Sequence, residues 1–207
     1  MSFLAFEGLD GSGKSTLING LKAEFERRGI AYVVTREPGG TALGDDIREL
    51  LLRVQGEAPV PKAEALLYQA GRAQHVERLI RPALVAKKWV LCDRYAASSR
   101  AFQGGGREIS AAQIDWLNDF ATSGLKPDLY VLLDLDVATS SARRGGRAQD
   151  DDRLERESVD FHEKVCLAYR QMAAADPSHW LVLSALEKPE VLLQQLIAAL
   201  KAKKWLV

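Results

Sequence analysis

The run Phe3-Leu4-Ala5-Phe6-Glu7-Gly8-Leu9-Asp10-Gly11-Ser12-Gly13-Lys14-Ser15-Thr16 constrains this chain more than any other stretch. Apolar residues lead directly into Gly8, and Gly8 to Ser15 matches G-x-x-x-x-G-K-[ST] at every fixed position, the pattern of a phosphate-binding loop. Its glycines let successive backbone N–H groups from Gly8 through Thr16 turn inward around an anion. Lys14 then reaches the terminal phosphates, and the Ser15 hydroxyl can ligate Mg²⁺. Leu17, Leu21 and Phe25 follow at helical spacing, so a helix should start at the loop with its N-terminal dipole aimed at the phosphate. A chance match in a turn would not carry both a strand before it and a helix after it.

The remaining chain reads as further strand and helix alternation. Residues 2–7 read as a buried strand, and 31–35, 88–93, 130–134 and 180–183 as further short strands. Helices are predicted over 14–28, 42–54, 62–84, 110–121, 137–144, 155–174 and 189–203. That alternation predicts an α/β fold: a doubly wound, parallel, five-stranded sheet with helices on both faces, in a single domain spanning 1–207. The 207 residues suffice for one sizeable core. Basic and acidic residues balance at 28 each, which argues against a nucleic-acid polymer as partner. No apolar run approaches the length of a membrane span, so no membrane partner and a cytoplasmic location are expected. Cys92 and Cys166 have no C-x-x-C spacing and read as buried filler.

Candidate ligand residues cluster where strands end. Thr35-Arg36-Glu37-Pro38-Gly39-Gly40-Thr41 leaves the second strand with a charged pair that a plain Pro-Gly turn does not need. Tyr68, Arg72 and His75 share one helix face, suited either to half-buried packing or to a flat heteroaromatic ligand. Asp93 and Asp134 both end apolar strands and both fit a carboxylate near magnesium; Arg94, next to Asp93, tilts the choice to the first. Gln103-Gly104-Gly105-Gly106-Arg107 reads as a loop that is mobile unless a ligand pins it. The arginine-dense run from Arg143 to Arg153 reads as a solvated loop or as a lid that closes on phosphates. A GTPase switch should show N-K-x-D, and the sequence has none.

Together FEGLDGSGKST, TREPGGT, LLYQAGRAQHV, CDRYAASSRAFQGGGR and RRGGRAQDDDRLE resemble the thymidylate kinase family over nearly the whole chain. TREPGGT and Asp-Arg-Tyr are the family-specific parts. The resemblance implies phosphorylation of dTMP to dTDP with ATP and Mg²⁺, a homodimer, and a lid at about 143–153. It assigns the loop Gly8–Thr16 to ATP, Asp10 to the acceptor's 3′-hydroxyl, and Arg36 and Arg94 to the acceptor phosphate. It also implies Asp93 and Glu37 near magnesium with Ser15, Tyr68 stacked on the base, Arg72 on a base carbonyl and Ser99 at the base edge. Phe102 would lie by the sugar and Tyr169 would close over the nucleoside. Because Gly11 follows Asp10, the catalytic arginine is expected in the lid, at Arg147 or Arg153, with Arg143 a further candidate. The sequence departs from the family pattern in having Gly71 for Asp, Tyr68 for Phe, Phe102 for Tyr and Cys166 for Arg.

Overall fold

The structure is a computed structural model that describes residues 2–145 and 151–206. Five strands, β1 (Phe3–Glu7), β2 (Tyr32–Arg36), β3 (Trp89–Asp93), β4 (Leu129–Asp134) and β5 (Trp180–Ser184), form one sheet in the order β2-β3-β1-β4-β5. Every pairing is parallel. The pleat explains why these strands read as continuous apolar runs. Leu4, Phe6, Trp89, Leu91, Val131 and Leu133 face one core, while Phe3, Ala5, Val90 and Cys92 face another. The first core is closed by helices α1 (Lys14–Arg27) and, later in the chain, Pro189–Ala202. Helices thus cover both faces, as the alternation predicts.

Between β2 and β3 come α2 (Ala42–Leu52), capped by Thr41 Oγ1, and α3 (Pro61–His75). The predicted single helix over 62–84 is in fact α3, a π-helical stretch Val76–Ile80, and a short α4 (Arg81–Val85). Pro82 sits in the first turn of α4, where its missing N–H costs least.

After β3, α5 (Ala96–Ser99) runs into a second π-helical stretch, Arg100–Gly106. This corrects the expected mobile loop at 103–107. Its glycines serve close approach: a Cβ on Gly106 would meet the Phe161 ring at 2.4 Å, and one on Gly105 would meet the Lys164 carbonyl oxygen at 3.0 Å. Packing against the later helix α8 holds the segment, so conformational freedom was the wrong inference from the glycines.

α6 (Ala111–Thr122) starts at Ser110, whose Oγ accepts from the Gln113 N–H. α7 (Val137–Gly145) follows β4. α8 (Val159–Ala175) begins later than expected because Ser158, not Glu155, caps it. The final helix is α9 (Pro189–Ala202). Both cysteines are buried and free, as expected.

Candidate active site

The phosphate loop joins β1 to α1 at the C-terminal edge of the sheet. Gly8 adopts φ 128°, and a Cβ there would lie 2.4 Å from the Leu133 carbonyl oxygen, so neither the turn nor the neighbouring strand tolerates a side chain. Leu9 puts its side chain into a hydrophobic core and leaves its backbone to the loop. Asp10, Gly11, Gly13, Lys14, Ser15 and Thr16 line an open cleft of about 1,100 Å³ with Arg36, Glu37, Arg48, Asp93, Arg94 and Arg143. Lys14 folds back on the loop, its Nζ donating to the carbonyls of Gly8 (3.1 Å) and Leu9 (3.0 Å). Burial and the nearby Arg94 guanidinium pull its pKa down. An anion in the loop would relieve both effects.

A second, narrower cavity adjoins the cleft. Tyr68, Arg72, Ser99 and Phe102 line it, as do Asp10, Glu37 and Arg94. Those last three and Arg48 belong to both spaces. Arg94 is the hinge between them. It follows β3 with a left-handed backbone, φ 70°, and its Nη2 donates to Asp10 Oδ1 at 2.9 Å. Burial pushes the Asp10 pKa up, but Arg94 and Lys14 outweigh it and hold the carboxylate ionised. The Arg94 guanidinium also lies 5.1 Å from the Phe102 ring centre.

Arg72 is buried and almost wholly committed. Its Nε donates to Glu37 Oε2 (2.7 Å), Nη1 to Gln69, Ser99 and Asn118, and Nη2 to the Tyr95 carbonyl. Half-buried packing thus describes Tyr68 on this face, but Arg72 and His75 are buried and hydrogen-bonded within the protein. The other Glu37 oxygen takes His75 Nδ1 at 2.9 Å. With both oxygens engaged, Glu37 anchors Arg72 and His75 and is not free as a magnesium ligand.

Tyr169 also takes a different place from the expected one. It is 1% exposed and outside the residues lining either space, with its hydroxyl donating to Glu7 Oε2 at 2.8 Å and lying 2.8 Å from Ser98 Oγ. Buried behind Arg94 and Phe102, it supports the wall instead of closing over a ligand. Glu7, at the end of β1, accepts from Ser98 Oγ, Tyr169 and the Tyr95 N–H. Burial raises its pKa against the pull of those donors and of Arg94.

Of the two strand-end carboxylates, Asp134 is paired with Arg170 at 3.0 Å and lines neither space. Asp93 faces the cleft, and its buried Oδ1 has no hydrogen-bond partner among the described residues. An orphaned carboxylate oxygen in the same cleft as Ser15 suits a hard cation. Among the described residues no three acidic, histidine or cysteine side chains cluster into a metal cage.

In the lid region, Arg147 lies outside the described residues. Arg153 donates to Glu64 Oε2 (2.7 Å) and the Leu51 carbonyl and lines neither space. Arg143 does reach the cleft, its guanidinium on the carbonyls of Gly11 and Ala185. Sequence reasoning missed Arg48, Gln103, Asp152 and Leu154 in the second cavity's wall. Only Gln103, beside the glycine run, carried a local signal.

Comparison with known proteins agrees with this geometry. The thymidylate kinase family model matches residues 6–196. A thymidylate kinase from Bdellovibrio bacteriovorus is 53% identical over 99% of this chain and 97% of its own. One from Desulfovibrio desulfuricans is 43% identical over 97% and 95%. The crystal structure of the Ehrlichia chaffeensis thymidylate kinase superposes with a TM-score of 0.77 at 30% identity, covering 96% of this chain and 98% of that one. Motifs, fold, paired cavities and relatives converge on one conclusion: this chain belongs to the thymidylate kinase family.

Proposed function

We propose that this chain transfers the γ-phosphoryl group of MgATP to dTMP, giving dTDP and ADP. The observation that carries the reading is that a phosphate-loop cleft and a second, ring-sized cavity meet at shared residues Asp10, Glu37, Arg48 and Arg94. ATP would occupy the loop from Gly8 to Thr16. dTMP would occupy the narrower cavity, with Tyr68 against the base, Arg72 and Ser99 at its edge, and Phe102 and Asp10 at the sugar.

The acceptor phosphate is already a competent nucleophile, so no strong general base is needed. Arg36, Arg48 and Arg94 offset the repulsion between the two nucleotides, and Lys14 with a lid arginine meets the charge that develops on transfer. Magnesium, held through Asp93 and Ser15, would neutralise phosphate charge when bound. Lid closure at about 143–153 over a single domain would exclude water.

We also propose a cytoplasmic homodimer. Among the described residues no helix is long and apolar enough to cross a membrane. Trp116 and Phe120 stack 5.6 Å apart on the outside of α6, 65% and 75% exposed, and Leu66 on the adjoining α3 is exposed as well. A second copy would cover such a face.

A coupled phosphate-transfer assay with dTMP, dUMP, dGMP and dAMP tests the activity. Preference for another acceptor would overturn the dTMP assignment, and light scattering in solution tests the dimer.

A further inference from the structure

Asn118 on α6, which the sequence does not single out, is 8% exposed and reaches the guanidinium of Arg72. Asn118 Oδ1 accepts from Arg72 Nη1 at 2.8 Å and from Gln69 Nε2 at 2.9 Å. Its Nδ2 donates to the Ala96 carbonyl at 3.2 Å. That last bond fixes the amide's orientation, because a flipped Asn118 would oppose its NH₂ to two other donors. Gln69 is fixed in turn: its nitrogen is spent on Asn118, so its oxygen faces Arg72 Nη1 at 3.0 Å. Donors and acceptors thus run in one direction from the Ala96 carbonyl through Asn118 and Gln69 to Arg72.

The result is a guanidinium with little freedom to rotate. Nε is held by Glu37, Nη1 is shared among Gln69, Ser99 and Asn118, and one Nη2 hydrogen goes to the Tyr95 carbonyl. Among the described residues, one Nη2 hydrogen has no protein acceptor, and Arg72 lines the second cavity.

We infer that Asn118 is a positioning residue for acceptor recognition: it pins Nη1 from behind so that the remaining Nη2 hydrogen is presented to the base. The inference rests on the assignment of the narrower cavity to the acceptor nucleotide. Asn118 does not touch the ligand. It acts by denying Arg72 the rotations in which its open donor would turn away.

The test compares Asn118→Leu, which keeps volume and removes the acceptor, with Asn118→Asp, which restores an acceptor oxygen beside the cation. Asn118→Leu should raise KM for dTMP about tenfold or more, the scale for losing a hydrogen bond to a charged group. KM for ATP and kcat should stay within about twofold, since the donor side is untouched. Asn118→Asp should recover most of the dTMP affinity. An unchanged dTMP KM in folded Asn118→Leu, a joint fall of kcat and both affinities, or an Asp variant as poor as the Leu variant would each overturn the inference. Should Asn118→Leu fail to fold by thermal melting, Gln69→Leu decides: a raised dTMP KM alone supports the relay, and no change refutes it. Arg72→Ala is the control. If it leaves dTMP KM unchanged, the acceptor assignment fails, whatever Asn118 does.

Discussion

The two adjoining spaces are built differently. Around the narrower cavity nearly every polar group already has a protein partner: Arg72 with Glu37, Ser99 and Asn118, Asp10 with Arg94, Gln103 with Glu64. Around the phosphate loop, groups wait for one. Asp93 Oδ1 and Ser12 Oγ are buried without partners among the described residues, and Lys14 rests on carbonyls of its own loop. Leaving a buried polar atom unpaired costs about 1–3 kcal/mol. The narrower cavity is therefore organised before any ligand arrives, whereas the loop's unpaired groups, a carboxylate oxygen among them, wait for bound ions to complete them. Substitutions on one side should move affinity and on the other turnover.

The sharpest break would come from the lid. Arg147→Ala should lower kcat by roughly 10³, the lower end for an arginine finger, with dTMP KM nearly unchanged. Arg153→Ala should show mainly in dTMP KM, because its partner Glu64 also holds Gln103 of the cavity wall. The reverse pattern in steady-state kinetics would assign the transition-state charge to Arg153.

Next in size, Lys14→Ala should cost on the order of 10² to 10³ in kcat, while calorimetry shows dTMP binding intact. Loss of dTMP binding would mean that the two spaces are not independent.

A smaller effect tests the acceptor side alone. Phe102 offers an apolar ring where a ribose 2′-hydroxyl would lose water without gaining a partner, so dUMP should exceed UMP in kcat/KM by roughly 10 to 10²-fold. Phe102→Ala should shrink that ratio and Phe102→Tyr leave it. A ratio indifferent to Phe102→Ala would take the ring away from the sugar.

The smallest effect is in stability. Arg94 holds a left-handed backbone, which costs a non-glycine residue roughly 1–2 kcal/mol. Arg94→Gly should therefore unfold in urea about 1 kcal/mol later than Arg94→Ala, with both variants poor enzymes. Equal stabilities would mean that the backbone relaxes once the side chain is gone.

These contrasts also explain what the sequence made legible. The phosphate loop is contiguous, and the central strands β1, β3 and β4 carry their burial in their own composition, so the sheet and the loop could be read directly. The acceptor side is assembled over distance. Glu7 meets Tyr169 across 162 positions, Arg72 meets Asn118 across 46, and Arg153 meets Glu64 across 89. No local pattern marks such partners, which is why the sequence paired neither Tyr169 with Glu7 nor Asn118 with Arg72. Arg36 and Tyr68 were legible because TREPGGT and the helix face are local. Arg48 looked like any surface-helix arginine until the fold turned it inward.

The run Gly104-Gly105-Gly106 has a consequence for tolerance. Phe102 and Gln103, which face the narrower cavity, ride on the same π-helical stretch whose other end presses on Phe161 and Lys164 of α8. The stretch works as a shim whose thickness is set by missing side chains. A single methyl added at Gly106 would have to be absorbed by moving the whole strip, and the cavity's far wall would move with it. The dimensions of this pocket are gauged from behind, by a surface that no ligand touches.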